Sequence, residues 1–129
     1  MTHLLGGEVE RAAKREYGKA QLLIDSSEDL FHGLDGAAGG QGEQVWMSHG
    51  DKVVELPAGF ELVASTDSAP VAAIADDGRC FYGIQFHPEV IHTQMGDDIL
   101  ANFLFRICKA GKTWTMPNFI KNTIASVRE

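Results

Sequence analysis

The sequence predicts an α/β fold, a sheet flanked by helices, and three observations carry that expectation. Cys80–Phe86 reads Cys-Phe-Tyr-Gly-Ile-Gln-Phe, apolar on both faces, as a strand covered on each side requires. Asp97–Lys109 places Ile99, Leu100, Phe103, Leu104, Ile107 and Cys108 at three- and four-residue intervals, the stripe of an amphipathic helix. Between strand-like runs, Asp76-Asp77-Gly78 is a strong hairpin turn. The sheet is expected to be mostly parallel, with antiparallel additions.

The elements follow in order. Thr2–Leu5 reads as the last turn of a helix closed by Gly6-Gly7, since glycine is favoured just past a helix end. A single turn does not nucleate alone, so its first turns are expected upstream of Met1. Glu8–Ala12 and Gly18–Asp25 are expected as two strands separated by the charged Lys14-Arg15-Glu16. Ser27–Leu34 suits one helical turn with serine capping and Glu28-Asp29 in its first turn. Asp35–Gly42, with four glycines, reads as a flexible loop.

Val45-Trp46-Met47 is expected as a short buried strand running into a Ser48-His49-Gly50-Asp51 loop. Pro57-Ala58-Gly59 is a turn, and Phe60–Ser65 and Val71–Ala75 are strands. Asp97 and Asp98 sit at the positive end of the Asp97–Lys109 helix, Arg106 and Lys109 near its negative end. Pro117 opens a second helix that carries Ile120, Ile124 and Val127 on one side and meets no cap at Arg128-Glu129. The chain is therefore expected to be cut at both ends.

Composition narrows the class of function. A chain of 129 residues fits one domain with a modest core. The net charge of -7 argues against a nucleic-acid partner, which needs a basic face. No apolar run is long enough to span a bilayer, and residues 1–7 lack the features of a signal peptide. The two cysteines, Cys80 and Cys108, form neither a disulfide framework nor a zinc spacing, so a cytoplasmic chain with reduced thiols is expected.

The chemistry is sought at His87-Pro88-Glu89. It follows the end of an apolar strand, where open α/β sheets place their ligands. Pro88 biases His87 toward extended backbone, in which residues two apart share a side. Glu89 can then accept a ring N–H of His87, fix its tautomer and stabilise the imidazolium formed when it takes a proton. The plainer alternative is a strand-end histidine beside a solvated glutamate. Ser48-His49-Gly50-Asp51 also follows a short apolar strand, and glycine there would let backbone groups approach a small zwitterion.

No metal is expected. His87, Glu89, His92 and His49 are not a helical i, i+4 set, and no second ligand cluster accompanies them. Neither thiol is expected to be a nucleophile. Cys80 begins the strand that ends near His87, and seven residues of strand span about 23 Å. Cys108 is placed on the buried helix stripe, where packing explains it.

Val45-Trp46-Met47-Ser48-His49-Gly50-Asp51-Lys52-Val53 resembles the signature of the glutamine amidotransferase domain of GMP synthases. So does Phe81-Tyr82-Gly83-Ile84-Gln85-Phe86-His87-Pro88-Glu89-Val90, with His92-Thr93 following. Arg15-Glu16-Tyr17-Gly18, Ala64-Ser65-Thr66 and Ile107-Cys108 with Trp114-Thr115 match in the same order, so the resemblance covers essentially the whole chain.

The resemblance implies a class I, triad-type amidotransferase with an open, mixed, flavodoxin-like sheet. A cysteine thiolate attacks the glutamine side-chain amide, ammonia leaves, and water releases glutamate from a thioester. His87 matches the residue that shuttles the proton and Glu89 the one that orients it. Ser48, His49, Gly50 and Asp51 match the segment that holds the amino and carboxylate end of glutamine.

The family's Gly-x-Cys-x-Gly-x-Gln elbow is missing from this sequence, together with the strands before it. Thr2–Gly7 matches the helix that follows the elbow, which would put the cysteine a few residues before Met1. Residues 1–112 then correspond to the C-terminal portion of the amidotransferase domain. Residues 113–129 form a connector helix toward an ATP-pyrophosphatase domain, where the intact enzyme uses ATP and Mg to aminate xanthosine monophosphate. The chain needs no cofactor of its own. Glutamine and that domain are its implied partners, the chain alone is expected to give no turnover, and a bare sheet edge is expected to favour aggregation or pairing with another chain, a second copy of itself included. A non-catalytic glutamine-binding or regulatory module, and half of a split amidotransferase, are the alternatives.

Overall fold

The computed structural model describes residues 1–34 and 42–128. The glycine-rich loop expected at Asp35–Gly42 lies, Gly42 apart, outside them. The strands are β1 (Glu8–Ile24), β2 (Glu43–Glu55), β3 (Glu61–Ser65), β4 (Ala73–Asp76) and β5 (Phe81–Ile84). They form one five-stranded sheet in the order β2-β1-β3-β4-β5.

Each strand pairing among the described residues is antiparallel, which corrects the expectation of a mostly parallel sheet. The cause is local. The connections between β3, β4 and β5 are too short for the crossover that parallel strands need. The two strands expected at Glu8–Ala12 and Gly18–Asp25 are one, β1, because Lys14-Arg15-Glu16 is absorbed as an irregularity in its pairing with β2.

The sheet curls until its ends meet. Just beyond β5, Phe86 forms an antiparallel bridge with Met47 of β2. The His87 N–H donates to the Trp46 carbonyl at 3.0 Å. β5 is therefore a part-exposed strand at the end of the sheet order, not one covered on both faces as Cys80–Phe86 suggested. Leu22, Val45, Met47 and Ala64 from the strands meet Phe31 and Ile99 in the core, each 1% exposed or less.

The helix expected at Asp97–Lys109 is α1 (Gly96–Ala101) followed by a π-helical stretch, Asn102–Ile107. The wider turn breaks the expected stripe. Ile99 is buried and Phe103 and Ile107 pack against the core, while Leu104 and Cys108 face solvent. Asp29–Phe31 is a short 3₁₀ turn within the expected Ser27–Leu34 helix, and it buries Leu30 and Phe31. Thr2–Leu5 is a 3₁₀ turn ended by Gly6 in left-handed backbone (φ 92°), the conformation for which glycine was expected. α2 (Met116–Arg128) buries none of its residues.

Candidate functional site

Two short segments meet where the sheet closes. The Phe86–Met47 bridge and the His87–Trp46 hydrogen bond set His87 beside the start of Ser48–Asp51. Thr93 locks this junction. Its hydroxyl donates to the His87 carbonyl at 2.6 Å and accepts the Trp46 N–H at 3.1 Å, and the residue is 4% exposed. Gln44 adds a bond from its side-chain amide to the His92 carbonyl, and the His92 ring packs against Trp46 with centroids 4.6 Å apart.

His87 and Glu89 are paired as their spacing suggests. The His87 Nδ1 donates to Glu89 Oε1 at 2.9 Å, with both side chains substantially exposed. A hydrogen bond from Glu89's own backbone N–H, and then the His87 ring, hold the Glu89 carboxyl below the usual glutamate range. With Nδ1 committed, Nε2 is the ring nitrogen left to exchange a proton with a substrate or nucleophile.

Ser48-His49-Gly50-Asp51 is not a loop. It lies within β2, opposite the irregular part of β1: Ser48 pairs with Tyr17, His49 with Glu16 and Asp51 with Arg11. A loop was expected because glycine and small polar residues weaken strand propensity, and cross-strand pairing overrides that preference here. A methyl group added at Gly50 would make only ordinary contact with the Arg15 stem, 3.6 Å away. The internal packing of the chain thus accepts a side chain at Gly50.

Each ring nitrogen of His49 has an oxygen close by. Its Nδ1 lies 2.9 Å from the Asp51 carbonyl and its Nε2 lies 3.1 Å from Glu16 Oε2. Gln85 donates to the same Asp51 carbonyl at 2.7 Å. Arg15 and Glu16 entered the sequence reading only as a charged break between strands and as part of a matched stretch, and neither Gln85 nor Thr93 was given a part in the site. No signal in a single sequence marks a cross-strand partner thirty residues away.

Gly96 was also missed. A Cβ there would stand 1.8 Å from the Pro88 carbonyl oxygen, so the first residue of α1 must be glycine for the His-Pro-Glu turn to pack against it.

The structure corrects where both cysteines lie. Cys80 is a turn residue in left-handed backbone (φ 55°) at the end of β5 remote from His87, not the first residue of a strand. Cys108 is exposed rather than packed on a buried stripe, because the π-helical stretch before it turns the helix. Among the described residues no group of three His, Cys, Asp or Glu side chains is placed to hold a metal ion, and no helix is long and apolar enough to cross a membrane.

The fold and these segments define the class of protein. The family model described as glutamine amidotransferase class-I matches residues 1–107, and the chain belongs to that family. A solved structure from Thermoplasma acidophilum, provisionally assigned as one component of a GMP synthase, superposes with a TM-score of 0.75 at 37% identity, covering 84% of this chain and 51% of that one. A Thermotoga maritima glutamine amidotransferase shares the fold at 17% identity, with a TM-score of 0.62 over 84% of this chain and 57% of its own.

Glutamine-hydrolysing GMP synthases are among the curated relatives. That of Azoarcus sp. is 49% identical over 131 residues, covering 99% of this chain and 25% of the relative. That of Staphylococcus carnosus is 53% identical over 128 residues, covering 99% of this chain and 24% of the relative. The chain spans about a quarter of the length of the curated relatives it matches.

Proposed function

We propose that this chain is the proton-relay and glutamine-holding portion of a glutamine-hydrolysing GMP synthase, working in purine nucleotide biosynthesis in the cytoplasm. The complete reaction would convert glutamine and water to glutamate and ammonia, and the ammonia would aminate xanthosine monophosphate to GMP. The observation that carries the reading is the His87–Glu89 hydrogen bond of 2.9 Å, next to Ser48–Asp51 across the closing seam of the sheet.

The chemistry is the one the family resemblance implies, and the geometry supports it. Glu89 keeps a proton on His87 Nδ1, so Nε2 accepts the proton of an attacking thiol. The resulting imidazolium, stabilised by Glu89, returns that proton to the departing ammonia. In the second half, Nε2 takes a proton from water as it attacks the thioester, the C–S bond breaks to release glutamate, and the imidazolium returns the proton to the departing thiolate. Ser48, His49, Gly50 and Asp51 would hold the amino and carboxylate groups of glutamine so that its amide reaches Nε2.

The thiol itself belongs to a Gly-x-Cys-x-Gly-x-Gln elbow that this sequence does not contain. Cys80 and Cys108 sit elsewhere, so the chain alone should bind glutamine without turning it over. Residues 1–112 would serve this chemistry. Residues 113–129 would connect it to an ATP-pyrophosphatase domain that uses ATP and Mg. The wholly exposed α2, with Phe119, Ile120, Ile124 and Val127 among its residues, supports such a connecting role.

The test is a titration of the chain with L-glutamine followed by amide and histidine-ring NMR. Shifts are expected at Ser48–Asp51 and at the His87 ring, with D-glutamine producing weaker ones. Shifts confined to other residues, or none, would overturn the assignment of these segments.

A further inference from the structure

The irregularity in β1 does something specific. From Arg11 to Glu16 β1 advances five residues while β2 advances two, from Asp51 to His49. Extra residues in one strand re-aim the side chains that follow them. Here they set Glu16 directly across from His49.

The result is a chain of polar contacts threaded through the sheet. The Ser68 hydroxyl donates to Glu16 Oε1. Glu16 Oε2 lies 3.1 Å from His49 Nε2, with the side chains 17% and 12% exposed respectively. His49 Nδ1 lies 2.9 Å from the Asp51 carbonyl, which also accepts from Gln85 at 2.7 Å. Glu16 Oε2, His49 Nε2 and Gln85 Oε1 are buried without an aligned hydrogen bond among the described residues.

Such a cluster is a poor way to stabilise a sheet. Burying a carboxylate and an imidazole with imperfectly met hydrogen bonds costs free energy that a pair of apolar side chains would not. A polar cluster does fix orientation, because each member admits few geometries. What this one orients is the short run Ser48–Asp51, gripped at His49 from β1 and at Asp51 from the strand end that leads to His87.

We propose that Glu16 is a positioning residue for glutamine binding. Acting through His49, and with Gln85 bracing the Asp51 carbonyl from the other side, it holds Ser48–Asp51 in the one orientation that receives the amino-acid end of glutamine. This rests on the reading of that run as the glutamine-holding segment.

The test uses the whole chain, with L-glutamine as the probe. Glu16→Gln removes the charge at constant volume. A folded variant is expected to show altered ¹⁵N resonances of the His49 ring and shifted amides at Ser48–Asp51. Its glutamine affinity is expected to fall about tenfold, the scale of one net hydrogen bond. The His87 ring should stay as in the parent. An unchanged His49 ring, or a changed ring with unchanged affinity, overturns the proposal.

Should the parent bind no glutamine, the functional reading of the segment fails separately. Positioning is then decided by the ring and amide resonances alone, and their invariance in Glu16→Gln overturns it. Ser68→Ala, which strips one partner from Glu16 and leaves the pair in place, serves if Glu16→Gln does not fold. Smaller changes of the same kind are then expected, and their absence counts against the proposal.

Discussion

His87 Nδ1 and Glu89 Oε1 lie 2.9 Å apart although their side chains are 41% and 61% exposed. An ion pair this open to water adds little to stability. Its effect is on the ring: the bond chooses the nitrogen that carries the proton and the direction the other one points. Pro88 narrows the backbone between them, and Thr93 and Gly96 hold the turn from behind.

The Glu89 carboxyl should titrate below the ordinary glutamate range. Its own backbone N–H contributes most, the His87 ring next. A carboxyl lowered in the folded state contributes its full stabilisation above the unfolded-state value and loses it as pH falls through the folded-state value. Carboxyl NMR should therefore give a low midpoint. His87→Ala should raise it part of the way, since the backbone bond remains. An ordinary midpoint in the parent would contradict the pairing.

Thr93→Val should destabilise the chain by ~1–3 kcal/mol, because it leaves the Trp46 N–H and the His87 carbonyl short of a partner. Thr93→Ser should recover most of the loss. Urea unfolding of the two variants measures both.

Gly96→Ala should be worse than an exposed helix-start substitution has any reason to be. The new methyl would stand 1.8 Å from the Pro88 carbonyl, so the turn or α1 must move, at about 1–3 kcal/mol. The sharper readout is the Glu89 titration, which should drift back toward the ordinary range as the turn shifts. A stable variant with an unaltered titration would show that the contact is tolerated.

Burial, and then its hydrogen bond to Asp77 at 2.7 Å, push the Tyr82 phenol above the ordinary tyrosine range. A group raised in the folded state contributes stability below its unfolded-state value and loses it as pH climbs toward ionisation. Spectrophotometric titration should show a late phenolate phase that Tyr82→Phe removes. A Tyr82 that ionises early would contradict the contact.

Local features were legible in the sequence wherever a residue's neighbours in space are its neighbours in the chain. The His87–Glu89 pair, the Gly6 helix end, the Asp76–Gly78 hairpin and the Phe60–Ser65 strand are of that kind. Long-range features were not. The apolar run Cys80–Phe86 suggested a strand covered on both faces, yet it lies at the end of the sheet order, where Phe86 bridges to Met47 of β2 and closes the curl.

Ser48–Asp51 looked like a loop because its residues favour one, and pairing with β1 decides otherwise. The π-helical turn that carries Cys108 into solvent leaves no mark on a pattern scored for 3.6 residues per turn. Glu16, Gln85 and Gly96 gain their roles only from partners brought in by the fold.

The most direct measurement is glutamate release from L-glutamine by the purified chain, beside His87→Ala and a Cys80→Ala, Cys108→Ala double variant. If the proposed relay pair has no nucleophile in this chain, none of the three should give glutamate above the protein-free blank. Turnover by the parent that disappears in both His87→Ala and the double cysteine variant would show that one of the exposed thiols does the attacking, and would contradict it.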